Sequence, residues 1–457
     1  MKIGLVGWGV ETQSAFRYYG ADHEYVIVSE EPRDDFPTGE NISVFSLETK
    51  RAVGLVGNVS DLSYLDRVVE CNLIIYQPSA HKNLEKHFQA DNPFWLKAKT
   101  IQHVFFEECP TKNIVGVTGT KGKGTTTTLI AKMLEKTGKK VHVGGNIGVP
   151  VLDLIKNMSA DDWAVLELSS FQLYKFPYSP HIAVHLMMMP EHIEEWHLTM
   201  DDYVEAKRNI FSHQSSSDIA VYLPTNQFSA GNAKYSAGKQ IPYTEAPGAY
   251  LDSEGFITID DNKLINKSDV GLLGKHNLEN ICAAVTAVWQ VTQDTGAISE
   301  AIRGFRGLEH RLEFVSEIDG VKYYDDSFGT TPDTAIVAMD AFTENKVMIV
   351  GGHDKGTPFN ELAKRLVSED IRHVVFIGTT GKTILDLAKG YGLAEGKYTI
   401  REDGNSWTMS DIVATAKQQA ISGDVVLLST GCASFGIFKD YKDRGNQFKD
   451  IVNALSI

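Results

Sequence analysis

Cysteine is scarce in this chain. Among 457 residues there are four, Cys71, Cys109, Cys282 and Cys432, and none sits in a Cys-x-x-Cys pair. A disulfide scaffold or structural zinc site is therefore not expected, and a reducing compartment fits. Positive charge is also in deficit: 44 Lys and Arg against 59 Asp and Glu leave a formal net charge of −15. Proteins that coat DNA or RNA need basic surface to displace counterions, so no nucleic-acid partner is expected. A local basic pocket for a small anion stays open. No apolar run approaches the ~20 residues needed to span a bilayer, so no membrane partner is expected. The first residues, Met1 to Gly7, run straight into strand-like sequence without a long apolar stretch. That excludes a signal peptide from the expectation and makes a cytoplasmic soluble protein the default; a monomer is expected, though nothing in these absences derives it. Short repeats and low-complexity tracts are missing too.

What is present is ordinary for a globular protein, with 42% apolar and 23% charged residues. At ~150 residues per domain the length suggests roughly three domains. Short β-branched runs alternate with longer helical patterns, as at Ile3–Val6, Tyr25–Val28, Leu73–Tyr76, Val165–Leu168, Ile182–Leu186, Val347–Val350, Val374–Ile377 and Val425–Leu428. Their apolar residues are consecutive, the pattern of strands covered by helices on both faces. The fold class is α/β with mainly parallel sheets. Boundaries fall at a polar break near Cys109-Pro110 and at a Gly/Arg-rich stretch, Gly304–Gly307. They divide the chain into residues 1–108, 109–304 and 305–457. Residues 225–270, rich in Gly, Ser, Asn and Asp, read as strand-and-turn decoration of the middle domain.

The strongest local signal is Gly116-Val117-Thr118-Gly119-Thr120-Lys121-Gly122-Lys123-Gly124-Thr125-Thr126. A strand leads in, and a helix follows with Leu129, Ile130, Met133 and Leu134 on one face and Gly138 at its stop. Glycines let backbone amides face a polyphosphate, and the helix start adds its positive end. Lys123 is placed to meet the β/γ-phosphates. The strict Gly-x-x-x-x-Gly-Lys-Ser/Thr pattern is not met: Val117 stands at its first glycine and Gly124 at its hydroxyl position. Thr125 then becomes the candidate metal-binding hydroxyl. The bland alternative is a glycine-rich strand-to-helix turn.

Downstream, Thr199 and Asp202 have capping-box spacing. The helix they open carries Tyr203, Val204, Ile210 and Phe211 as an apolar stripe, with Lys207 in its middle. A cation aimed into a core is costly unless paired or chemically altered. One reading is a lysine whose stem snorkels to water. The sharper one is a lysine carbamylated by CO₂, which becomes an anionic metal ligand. Glu167, at the end of the strand Trp163–Leu168, lies where α/β proteins place ligand-binding groups. Glu167 and His192 are candidate Mg²⁺ ligands, and with the loop they suggest a two-metal nucleotide site.

Taken together these blocks resemble the Mur ligase family, which builds the peptide stem of bacterial peptidoglycan. The resemblance covers essentially the whole chain. It rests on Gly119–Thr126, Gly144–Gly148, Glu167–Leu173, the pair His192 and Lys207 fifteen residues apart, His276–Asn280, Gly307–Glu313, Asp325-Asp326-Ser327, Gly352–Gly356, Cys432–Phe435 and Arg444-Gly445. It implies a Rossmann-like N-terminal domain for a UDP group, a central P-loop ATPase domain with a parallel sheet, and a Rossmann-like C-terminal domain for the incoming amino acid. It further implies that Gly119, Thr120, Lys121, Gly122, Lys123, Gly124, Thr125, Asn280, Arg311 and Asp326 contact ATP. By the same resemblance Lys123, His192 and Lys207 would be catalytic, and Thr125, Glu167, His192 and carbamylated Lys207 would serve two Mg²⁺ ions. It likewise implies that Asn146, Ser169 and Gln172 face the UDP-muramoyl substrate and that Thr330, Lys355, Ser434 and Tyr441 hold the amino acid.

The implied reaction adds D-glutamate to UDP-N-acetylmuramoyl-L-alanine through an acyl phosphate, with closure of the domains during turnover. The chain departs from the family at several points. Phe328 stands where the family has a lysine, Ser429-Thr430-Gly431 replaces Ser-Pro-Ala, and Gln77-Pro78-Ser79-Ala80 lies near the usual Ser-Pro-Gly turn. Phe328 leaves L-glutamate or another amino acid open. A folylpolyglutamate synthase shares a Gly-Lys-Gly loop but not the preceding domain or Glu167–Leu173. A non-catalytic nucleotide-binding regulator on the same scaffold is the rival of another class. The N-terminal Gly7-Trp8-Gly9 turn, with Glu30 or Glu31 as a ribose partner, is by itself a weak dinucleotide-type signal.

Overall fold

The structure is a computed structural model that describes residues 1–30, 32–46, 62–190, 197, 199–272, 274–354, 357–401 and 408–455. The chain forms two compact units: residues 1–270 with 275–305, and residues 271–274 with 306–457. The α/β class with parallel sheets holds in both. Among the described residues no helix is long and apolar enough to cross a membrane.

Within the first unit, one sheet runs in the order Ile42–Ser46, Glu24–Ser29, Lys2–Val6, Leu73–Tyr76, Ala98–Lys99, all parallel. The chain reverses its direction across the sheet between Lys2–Val6 and Leu73–Tyr76. Such a reversal opens a crevice at the carboxyl ends of the two strands. A second parallel sheet has the order Lys239–Pro242, Ile219–Tyr222, Ile182–His185, Ile114–Thr118, Trp163–Glu167, Val141–Gly145. The strand leading into the glycine loop is thus central, flanked on both sides and wholly buried. One apolar core, including Leu5, Ile75, Phe105, Ile114, Leu166 and Leu168, runs beneath both sheets.

Residues 225–270 are only partly decoration. They hold a three-stranded antiparallel sheet, Tyr250–Leu251, Phe256–Ile259 and Asn262–Asn266. They also hold a helix, Gln227–Ala233, and the edge strand Lys239–Pro242 of the main sheet. The composition misled because an edge strand carries polar residues toward water, as Lys239 and Gln240 do here.

In the second unit the antiparallel pair Glu313–Ile318 and Val321–Asp325 leads into a parallel run. Its further strands are Val425–Leu428, Lys346–Gly352, Ile371–Ile377 and Tyr398–Ile400. The turns after Asp325 and Leu428 therefore leave the carboxyl ends of neighbouring strands, and their residues come together.

Candidate active site

The strand Ile114–Thr118 passes through Gly119–Gly122 into the helix Lys123–Lys136. Gly122 is the helix cap at φ 86°, and a Cβ there would lie 2.2 Å from Asn280 Oδ1. Both the backbone angle and the close approach require glycine. The contact also brings Asn280, 8% exposed on the helix Lys275–Trp289, against the loop. Thr120 Oγ1 accepts from Met189 N, which pins the loop to the segment after the strand Ile182–His185. Lys121 is exposed, Gly124 is buried and Thr125 is half-buried in the first helical turn. Lys123 Nζ curls back to donate to the carbonyls of Gly119 at 3.2 Å and Thr120 at 2.9 Å. An ammonium resting on its own loop's carbonyls is placed to turn toward a stronger acceptor such as phosphate.

Lys207 is 2% exposed on the helix Met200–Ser212. The helix opens with the reciprocal Thr199–Asp202 capping box that the spacing predicts. Its Nζ reaches the same loop, donating to the Gly119 carbonyl at 2.8 Å, with Thr118 Oγ1 at 3.5 Å and the Tyr203 ring centroid at 4.8 Å. Beside it, burial pushes His185 down to about 4, so that imidazole is neutral near pH 7. Its ring nitrogens face the Leu186 carbonyl and Asn232, and the ring stacks on Phe211.

Glu167 ends the strand Trp163–Glu167, opposite Val117 in the sheet register. Its carboxylate is 3% exposed and accepts from Asn146 Nδ2 at 2.7 Å. Among the described residues it has no cation partner. A buried carboxylate held by one neutral amide suits a divalent cation, because hard cations take oxygen ligands and offset the buried charge. His192 lies outside the described residues. Ser169 caps the short helix Ser170–Leu173 by accepting from Gln172 N, and Gln172 Oε1 accepts from Ser169 N. The Gln172 amide nitrogen donates to Glu11, as does that of Gln102, so Gln172 acts here as an internal brace.

In the second unit the expected site residues lie on the turns around Arg311, Asp326 and Ser434 and at the start of the helix Tyr441–Ala454. Asp326 is 5% exposed; Ser429 Oγ donates to it at 2.6 Å and Leu312 N at 3.2 Å. Burial dominates and pushes its carboxyl up to about 7. Arg311 is exposed, with its guanidinium 4.4 Å from the ring centroid of the exposed Phe328. Tyr441 meets the same ring edge-on at 5.3 Å. Thr330 is half-buried and Ser434 is 5% exposed. Lys355 lies outside the described residues; Glu31 does too, while Glu30 accepts from Asn83 at 2.7 Å.

Four residues of this unit have no role in the sequence reading: Arg444, Asp325, His310 and Glu313. Arg444 is fully buried and donates to Ser327 Oγ, Ser327 O and Cys432 O. It thereby ties the Asp326 turn to the Cys432–Ser434 turn. Asp325 accepts from Ser327 N and pairs with His310 Nδ1 at 2.7 Å. Glu313 completes a cluster whose ligand atoms lie within 4.8 Å of one another. It already accepts from His310 N and Lys449, so the cluster is internally satisfied. The signal for Arg444 was available: Arg444, Phe448 and Val452 stand at i, i+4 and i+8 on one helix face.

Residues 117–288 match the Mur ligase middle domain, and residues 310–432 match the Mur ligase, glutamate ligase domain. The chain is 34% identical to a UDP-N-acetylmuramoylalanine–D-glutamate ligase of Clostridium kluyveri, over 99% of this chain and 97% of that one. It is 39% identical to the protein of that name from Clostridium acetobutylicum, over 91% and 92%. Among solved structures it is similar to a UDP-N-acetylmuramate-alanine ligase from Thermotoga maritima. That match has a TM-score of 0.56 and 17% identity and covers 99% of each chain.

Proposed function

The chain belongs to the Mur ligase family, and from that premise we propose that it is an ATP-dependent ligase adding D-glutamate to UDP-N-acetylmuramoyl-L-alanine in peptidoglycan precursor synthesis. The observation that carries the reading is the buried amine of Lys207, 2.8 Å from the Gly119 carbonyl of the glycine loop. A lysine brought from another helix to that loop is placed for chemistry at a nucleotide's phosphates.

In this reading the substrate carboxylate attacks the γ-phosphate of ATP, giving an acyl phosphate and ADP. The neutral amine of glutamate then displaces phosphate and forms the amide. Lys123 holds the transferring phosphoryl group and offsets its growing charge. Gly119 to Thr125 orient the phosphates, while Asn280, Arg311 and Asp326 hold the rest of the nucleotide. Thr125, Glu167, His192 and carbamylated Lys207 are the residues that would hold two Mg²⁺ ions. Bound Mg²⁺ supplies Lewis-acid stabilisation of phosphoryl transfer. Carbamylation turns the Lys207 amine into an anionic ligand, which relieves the cost of a buried cation. Asn146, Ser169 and Gln172 line or brace the muramoyl site. Thr330, Lys355, Ser434 and Tyr441 take the amino acid, with Lys355 pairing a carboxylate. The enzyme acts as a cytoplasmic monomer.

The test is phosphate release from ATP and Mg²⁺ with UDP-N-acetylmuramoyl-L-alanine against a panel of D- and L-amino acids. Release is expected only with all substrates present and fastest with D-glutamate. Faster release with L-glutamate would move the reading to that stereoisomer. No release with any amino acid would leave the regulator reading.

A further inference from the structure

The antiparallel pair of the second unit brings two turns together. Glu313 opens one strand opposite Asp325, which ends the other. Arg311 lies just before that rung and Phe328 just after it, and Phe328 N donates to His310 O at 2.8 Å. Arg311 sits between two residues in the left-handed region, His310 at φ 63° and Leu312 at φ 44°. Such backbone is strained where a side chain is present, and it persists because both neighbours are pinned. His310 pairs with the buried Asp325 at 2.7 Å and its N donates to Glu313, while Leu312 N donates to Asp326. The turn leaves Arg311 exposed, with its guanidinium 4.4 Å from the Phe328 ring centroid. Among the described residues that guanidinium has no hydrogen bond and no ion pair. The ring beneath it is itself held, met edge-on by Tyr441 at 5.3 Å, and Tyr441 in turn meets His310 at 6.0 Å.

The face of a phenyl ring attracts a guanidinium without taking up any of its five N–H donors. Arginine stacked this way keeps its donor fork open to an oxygen acceptor while losing freedom to move. A carboxylate in the same place would hold the arginine but compete with the acceptor. A lysine, which the Mur ligase family has at this position, would repel it. We propose that Phe328 is a positioning residue whose ring is the platform that holds the Arg311 guanidinium ready for an oxygen of the bound nucleotide. The proposal rests on the reading that Arg311 contacts ATP.

The test uses the full chain as wild type, Phe328→Tyr, Phe328→Leu, Arg311→Ala and the combination of Phe328→Leu with Arg311→Ala. Each is titrated by calorimetry with a non-hydrolysable ATP analogue and Mg²⁺ in the presence of UDP-N-acetylmuramoyl-L-alanine. Each is also assayed for the KM of ATP, of the nucleotide sugar and of glutamate. Phe328→Leu keeps an apolar side chain but has no ring face. It is expected to weaken the analogue and raise the KM for ATP roughly two- to fivefold, with the other two KM values unchanged. Phe328→Tyr restores the ring and should stay at the wild-type values. In the Arg311→Ala background Phe328→Leu should cost no further affinity, which is how a contact acting through the arginine differs from a merely structural one. An unchanged Phe328→Leu, an equal loss in both backgrounds, or an effect confined to the KM of glutamate would overturn the proposal. A wild-type chain that neither binds the analogue nor releases phosphate would instead overturn the functional reading beneath it.

Discussion

Lys207 in the first unit and Arg444 in the second are both buried cations, yet they are held in opposite ways. Arg444 is gripped by three hydrogen bonds, to Ser327 Oγ, Ser327 O and Cys432 O. Lys207 donates to the Gly119 carbonyl, with a longer contact to Thr118 and the Tyr203 ring nearby. A guanidinium keeps its charge and its planar fork; burial lowers Arg444 only to about 10. A lysine amine can lose its proton and react with CO₂. The contrast teaches that one buried cation ties two turns together while the other brings an amine to the glycine loop.

The largest effect should come from breaking the chemical side. Lys207→Met and Lys207→Arg are each expected to lower the rate of ATP-dependent phosphate release ~10³-fold or more, the scale of losing an electrostatic group at a transition state. Urea unfolding of Lys207→Met should stay near or above the wild-type midpoint, since replacing a buried cation by an apolar side chain is often neutral or stabilising. Retained activity in Lys207→Arg would end the carbamate reading.

Arg444 should behave in reverse. Arg444→Ala is expected to cost about 3 kcal/mol of stability and Arg444→Lys roughly half of that, because three buried acceptors lose their donor fork. Urea midpoints measure it, and a wild-type midpoint for Arg444→Ala would remove the distinction between the two cations.

A smaller loss follows from Gly122→Ala, where positive φ and the contact with Asn280 act together. About 1–2 kcal/mol of destabilisation and a raised KM for ATP are expected, read by thermal melts and steady-state kinetics. Unchanged values in both would show that Asn280 yields freely.

The last effect, which shows only against pH, concerns Asp326. Its folded-state value of about 7 lies above that of an unfolded aspartate near 4, so the fold favours the protonated acid. That contribution is fully present below about pH 4 and is lost as pH rises through about 7. The stability gap between Asp326→Asn and wild type should shift in the variant's favour over this window and level off above it. Melting curves at stepped pH test this; a gap flat with pH would contradict it.

Much of the site was legible because its signals are local. Glycine spacing, a strand before and a helix after mark residues 114–136, and a cation in an apolar stripe marks Lys207. The same stripe logic applies to Arg444, but the helix Tyr441–Ala454 is polar enough that its buried face is hard to see in sequence. Gln172 illustrates the opposite limit. Its block pointed to the substrate, whereas both ends of its amide are engaged by Ser169 and Glu11. Those partners, three and 161 residues away, come together only through packing.

The amino-acid sequence by itself determined the α/β class, most of the strands, the glycine loop and the place of Lys207 in an apolar stripe, because each depends on neighbours within a few positions along one element. Only the tertiary structure decided that Lys207 ends on Gly119, that Glu167 is held by Asn146, that Arg444 joins two turns and that Arg311 lies over Phe328. Those contacts follow from which strands lie side by side, and strand order is set by burying apolar faces across the whole sheet rather than by any one segment.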